Sequence, residues 1–141
     1  LSLSGFLIGL SKFWGALHPK DAFAYFIRGV AKANLKDYEG AIEDYTQAIA
    51  LAPKLTIAYI KRGFVKEILK DYEGAIEDYT QAIAINPKDA AAYFNRGLAY
   101  EHLSYWELAL SSFKQAAFLE PSNDKYKSKV ERAQKEVVAA K

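Results

Sequence analysis

The chain contains no cysteine and no methionine, and only two histidines and four prolines are spread over its 141 residues. Without cysteine there is neither a structural disulfide nor a thiolate metal site, and the redox compartment is left open. His18 and His102 lie far apart. Glu101 beside His102 makes no metal pair, because adjacent helical residues point in different directions. No glycine-rich phosphate loop is present. With no catalytic constellation, the expectation is a chain that is not an enzyme and uses no cofactor. A net charge of +2 is too small to argue for nucleic acid or an anionic membrane surface as a partner. With 51% of its residues apolar, the chain is long enough to bury a core as one domain. It opens on Leu1, without Met, which leads us to expect a trimmed N-terminus and any targeting signal out of view. Cytoplasmic and membrane-associated locations both stay open.

What the chain has in quantity is repetition. Leu35–Ala50, LKDYEGAIEDYTQAIA, recurs letter for letter as Leu69–Ala84, a step of 34 residues. Pro19, Pro53, Pro87 and Pro121 keep the same step of 34. So strict a period means one supersecondary unit copied several times. Within the first copy, Tyr38, Ala41, Ile42, Tyr45, Ala48 and Ile49 have the i, i+3, i+4, i+7 spacing of one helical face. Asp37 stands where a side chain can cap free backbone N–H groups, and Pro53 cannot continue the helix. Ala22–Leu35 reads as a partner helix with Tyr25, Gly29 and Ala33 on one side, and the bare Gly29 allows a close helix approach. Joined by Lys36–Asp37, the two helices form an antiparallel hairpin. Arg28, Arg62 and Arg96 recur at the period, and we expect Asp44 and Asp78 to partner the first two. Ser112 in the third place predicts a less constrained Arg96.

These residues resemble the tetratricopeptide repeat, whose pattern is a large aromatic, Leu-Gly and Tyr, then Ala, an aromatic, Ala and a closing Pro. The first unit offers Tyr25, Arg28-Gly29, Lys32, Ala41, Tyr45, Ala48 and Pro53; the third ends in Ala109, Phe113, Ala116 and Pro121. Arg replaces the usual Leu in all three units, and Lys32 and Lys66 replace Tyr in two. The resemblance implies an all-α fold, a right-handed superhelical solenoid of stacked hairpins. It would comprise three repeats (22–55, 56–89 and 90–121) and a C-terminal capping helix over 124–141. Tyr126, Val130, Ala133 and Val137 form the stripe of that helix, and a half-charged terminal helix closes a solenoid in water.

Residues 1–17 are the least repeat-like part. Leu3, Phe6, Leu7, Leu10, Phe13, Trp14 and Leu17 share one helical face, and Pro19 keeps the register. Three readings stay open: a divergent helix covering the end of the stack, the residue of a membrane anchor, and a sticky amphipathic arm that binds another molecule.

In the resembling family the first helix of each hairpin lines a concave surface that holds a partner segment. The places it implies are Phe23, Phe26, Val30, Ala33 and Asn34, then Ile57, Ile60, Phe64, Glu67 and Ile68. In the third unit they are Ala91, Phe94, Leu98, Glu101 and His102. Family members that hold acidic chaperone tails use a carboxylate clamp. This chain has Phe26, Val30, Lys61, Ala91 and Asn95 at the places of the clamp's Lys, Asn, Asn, Lys and Arg, so that clamp is absent. The expected function is a protein–protein interaction scaffold whose groove takes an apolar or amphipathic peptide, with no nucleic acid involved. The alternative is a membrane-tethered or self-associating assembly factor that uses residues 1–17, giving a homo-oligomer in the second case.

Overall fold

The computed structural model of the chain describes Leu3, Gly5 and residues 21–141. The expected helix over residues 1–17 lies outside the described residues. Seven helices run through residues 21–141: α1 (Ala22–Asn34), α2 (Tyr38–Leu51), α3 (Thr56–Ile68), α4 (Tyr72–Ile85), α5 (Ala90–His102), α6 (Trp106–Leu119) and α7 (Asp124–Ala139). The fold is an all-α helical repeat. Among the described residues, no helix is long and apolar enough to cross a membrane.

Each helix starts and stops for local reasons. The Asp21 carboxylate accepts from the Phe23 and Ala24 amides at 2.9 and 3.3 Å, and Asp37 and Asp71 accept from Gly40 and Gly74 at 3.1 and 3.0 Å. Such a side chain satisfies a backbone donor that has no intrahelical partner. Asn123 caps α7 in the same way, through the Tyr126 amide at 3.2 Å. Tyr105 at the head of α6 makes no side-chain cap. At the other end of α1, Lys36 takes φ 64°. Its amide donates to Ala33 O and that of Asp37 to Lys32 O, both at 2.9 Å. That pairing is a Schellman turn. Lys70 and Ser104 repeat the left-handed conformation at φ 64° and 60°. No glycine marks these turns, so the sequence carried no signal for them.

The residues divide into two compact units at Lys70/Asp71, between the two helices of the second repeat. In repeat proteins each repeat contacts only its neighbouring repeats, so among the described residues the buried side chains gather in successive clusters.

In the first unit α1 packs along α2, and α2 along α3. Ala41, Tyr45, Ala48 and Val65 are buried there. Gly29 makes the close approach possible: a Cβ at that place would stand 2.7 Å from the Tyr45 ring. In the second unit α4 packs on α5, α5 on α6 and α6 on α7. Phe113 fills the space beside Gly97 as Tyr45 does beside Gly29. A buried aromatic ring removes about 150–250 Å² from water at about 25 cal/mol per Å², so these rings are the main apolar contribution of each hairpin. The last helix adds Tyr126, Ala133 and Val137 to the core of Phe94, Ala109, Phe113 and Ala116.

Candidate partner-binding surface

The repeated arginines stand at the seam of each hairpin. Arg28 donates from Nε and Nη2 to the two carboxylate oxygens of Asp44, at 2.8 and 2.7 Å. Lys32 joins the same carboxylate at 3.1 Å. Asp44 is only 2% exposed, as is Asp78, so these acids belong to the interior and not to a surface pair. Hydrogen bonding to Asp44 raises the Arg28 guanidinium above its ordinary pKa, against the opposing effect of burial. Arg62 reaches back to Thr46 Oγ1 at 3.0 Å, and Arg96 to Thr80 Oγ1 at 3.3 Å. Each guanidinium also lies over the tyrosine three residues earlier, at 5.3, 5.8 and 5.6 Å from the ring centre. The expected looseness of Arg96 is not found. Ser112 Oγ accepts from its Nε at 3.1 Å, and Tyr100 gives it a second ring. A neutral hydroxyl and two aromatic faces replace the missing carboxylate.

A comparison within the chain narrows down where a variable function can lie. The second-helix segments of the first two repeats are identical over Leu35–Ala50 and Leu69–Ala84, whereas the first helices α1, α3 and α5 differ. What stays constant in those first helices is Ala-Tyr and Arg-Gly: Ala24-Tyr25, Arg28-Gly29 and their copies. These are the hairpin-packing places. The residues expected to meet a partner are among those that change.

In the first unit several of those residues are apolar and exposed. Phe23, Ile57, Phe64 and Ile68 are 60, 41, 53 and 44% exposed, a large exposure for side chains of this kind. Val30 and Ile60 are half-buried, and Asn34 is exposed at the end of α1. Val30, Asn34, Phe64 and Ile68 line a common cavity of about 150 Å³. Glu67 is half-buried. Phe26 touches Phe23 at 6.1 Å between ring centres, but its other side rests on buried Tyr45 at 5.9 Å. It is partly a core residue.

The second unit differs. Phe94 is 5% exposed, enclosed between Phe113 at 5.6 Å and Tyr126 at 4.7 Å. Expected on the groove, it is instead interior, because α7 lays Tyr126 on it. Glu101 Oε1 accepts from Lys129 Nζ of α7 at 2.7 Å. Leu98 is half-buried against this core. His102 is exposed and stacks on Tyr72, with ring centres 4.6 Å apart and an angle of 9°. The C-terminal helix thus satisfies much of what a partner would otherwise meet. Among the described residues no group of three His, Cys, Asp or Glu side chains could hold a metal ion.

Residues 22–55 match the profile of the tetratricopeptide repeat, and residues 68–104 that of the TPR repeat. The crystal structure of MamA is 34% identical over 89% of this chain and 73% of its own, with a TM-score of 0.83. The chain belongs to the tetratricopeptide repeat family. The TPR domain of Arabidopsis OM64 is also similar, at 31% identity, 81% and 94% coverage and a TM-score of 0.75. So is the second TPR domain of human RPAP3, solved in complex with the HSP70 peptide SGPTIEEVD, at 28% identity, 83% and 97% coverage and a TM-score of 0.75. A comparison with curated proteins returned no match. A TPR relative thus holds a peptide, and protein interaction is the class of function that this likeness supports.

Proposed function

We propose that the first unit of this TPR chain binds an apolar or amphipathic peptide segment of another protein on the face shared by α1 and α3. The observation that carries this reading is the exposure of Phe23, Ile57, Phe64 and Ile68 on the helices that vary between repeats. Soluble proteins seldom leave large apolar side chains grouped in this way without a partner. An apolar face of helical hairpins accepts the apolar stripe of a helix or the alternate side chains of an extended strand. The enclosed Phe94 and the paired Glu101 direct the reading toward the first unit.

Selection of a displayed peptide library on the intact chain tests it. Enriched peptides should carry two or more apolar residues at helical or alternating spacing. Phe23→Asp combined with Phe64→Asp should weaken their binding by roughly tenfold or more, the loss expected when central apolar anchors are removed. Unchanged binding by this double variant would refute the reading.

A further inference from the structure

The third repeat departs from the other two on the exposed face of its second helix. Asp37 and Asp71 give way to Tyr105, Gly40 and Gly74 to Leu108, and Ala50 and Ala84 to Phe118. On the same helix Glu43 and Glu77 become Ser111, and Thr46 and Thr80 become Lys114. All five new residues are exposed, Phe118 to 76%. Glu107, Ser111, Lys114 and Phe118 follow one another at steps of four, three and four, so they form one stripe along α6. Phe118 is a knob at one end of that stripe. At the other end Tyr105, Trp106 and Leu108 of α6, with Val137 and Ala140 of α7, line a cavity of about 380 Å³ that Glu107 also borders. An apolar cavity of about 150 Å³ already takes a benzene molecule, so this one has room for a phenyl ring.

We propose that two copies of the chain pair through this stripe, α6 against α6 and antiparallel, with Phe118 of each copy entering the cavity of the other. Knob and cavity lie about 18 Å apart along one helix, at 1.5 Å per residue. A two-fold axis level with Ser112 therefore sets Phe118 opposite Trp106 of the second copy and closes both contacts at once, as an isologous interface requires. The charges favour a second copy over any other occupant. Glu107 and Lys114 have no ion-pair partner among the described residues of their own copy. In this pairing Glu107 stands within about 5 Å, along the helix axes, of Lys114 of the second copy. Both side chains span that offset, so two reciprocal ion pairs form. The helices α2 and α4 carry Glu39 and Glu43, or Glu73 and Glu77, on the same face, with no lysine or arginine, and each would repel its own copy. Ser111 removes the acid that would stand beside the axis, and its small side chain lets the two helices approach. None of these residues belongs to the proposed peptide-binding face.

Sedimentation equilibrium of the full chain over a concentration series tests the proposal. The chain should dimerise reversibly. Phe118→Ala restores the residue of the first two repeats and should weaken the dimer about tenfold or more, the loss expected of a central anchor. Because Phe118 is exposed, helicity by circular dichroism should stay unchanged. Ser111→Glu should also weaken the dimer, by bringing two carboxylates together near the axis. Glu107→Lys and Lys114→Glu should each weaken it about threefold or more, since either one breaks both ion pairs. The two combined should restore it, because each reversed charge then meets the other across the axis. That recovery separates this interface from self-association through residues 1–17, which the reversals would leave unchanged. A chain that stays monomeric throughout the series would overturn the proposal. So would association indifferent to Phe118→Ala, or charge reversals that fail to compensate.

Discussion

Arg28 and Asp44 form a two-pronged pair, Nε to Oδ2 at 2.8 Å and Nη2 to Oδ1 at 2.7 Å, that ties α1 to α2. Asp44 is buried while the Arg28 side chain is 21% exposed, so only one end of the pair is cut off from water. Removing the acid leaves Arg28 and Lys32 without their shared counter-charge. Asp44→Ala should lower stability by about 2–3 kcal/mol, less than the ~3–5 kcal/mol of a fully buried pair because solvent screens Arg28. Ser112→Ala in the third repeat removes one hydrogen bond to Arg96 and should cost about 1 kcal/mol. Urea unfolding of the two variants checks the difference.

The glycines at the hairpin contacts have steric roles of unequal weight. A Cβ at Gly29 would meet the Tyr45 ring at 2.7 Å, and one at Gly97 the Phe113 ring at 2.5 Å. Both rings are fully buried and cannot move aside. Gly29→Ala and Gly97→Ala should therefore each destabilise by about 1–3 kcal/mol, outweighing the ~1 kcal/mol that Ala gains in helix propensity. At Gly40 the added atom meets the exposed Asp37 carboxylate and displaces its cap on the Gly40 amide, a loss of about 1 kcal/mol that the helix propensity of Ala offsets. Gly40→Ala should be close to neutral, and thermal melts of the three glycine variants check the order.

Lys36 holds φ 64° in the turn between α1 and α2. A left-handed residue with a side chain costs about 1–2 kcal/mol, and glycine avoids this at the expense of a more flexible unfolded chain. Lys36→Gly should stabilise the protein by roughly 0.5–1 kcal/mol. A lower melting temperature for this variant would show that the turn is held in another way.

Burial, together with the nearby Asp44 carboxylate, pushes the Tyr45 hydroxyl up to about 12 from an ordinary 10.0. The folded state therefore keeps its proton over a range where the unfolded chain releases it. Stability is fully present below pH 10 and falls as the pH rises toward 12. The slope in that window is about 1.4 kcal/mol per pH unit for this one group. Alkaline unfolding followed by tyrosinate absorbance should lose this contribution in Tyr45→Phe.

Phe26 and Phe64 separate fold from binding. Phe26 rests on Tyr45 with ring centres 5.9 Å apart, whereas Phe64 is 53% exposed. Phe26→Asp should destabilise by about 3 kcal/mol or more, as when a core aromatic is lost. Phe64→Asp should change stability by less than about 0.5 kcal/mol, in keeping with an exposed site, while it removes peptide binding. Melting curves beside anisotropy titrations distinguish the two.

Most of the helical layout was legible from residue types alone. The period of 34, the acid before α2 and α4 and the proline after each second helix place α1 to α6 within a residue or so of their observed ends. Asn123 caps the start of α7 by the same local means. The reason is local: caps, helical spacing and proline act within a few residues along the chain. Lys36, Lys70 and Ser104 escaped because nothing in a lysine or serine marks a left-handed turn.

The fate of the face that each helix presents was decided by tertiary structure. Phe26, Ile60 and Phe94 hold one register position, and helical spacing alone treats them alike. Phe94 is buried only because Tyr126, distant in sequence, stacks on it from α7. Lys129 meets Glu101 by the same packing, while Lys61, at the equivalent place on α3, stays exposed. Periodicity determines the direction in which a side chain points from its own helix. Whether water, a core residue or a charge lies in that direction depends on which later element folds over it, and no local pattern encodes that.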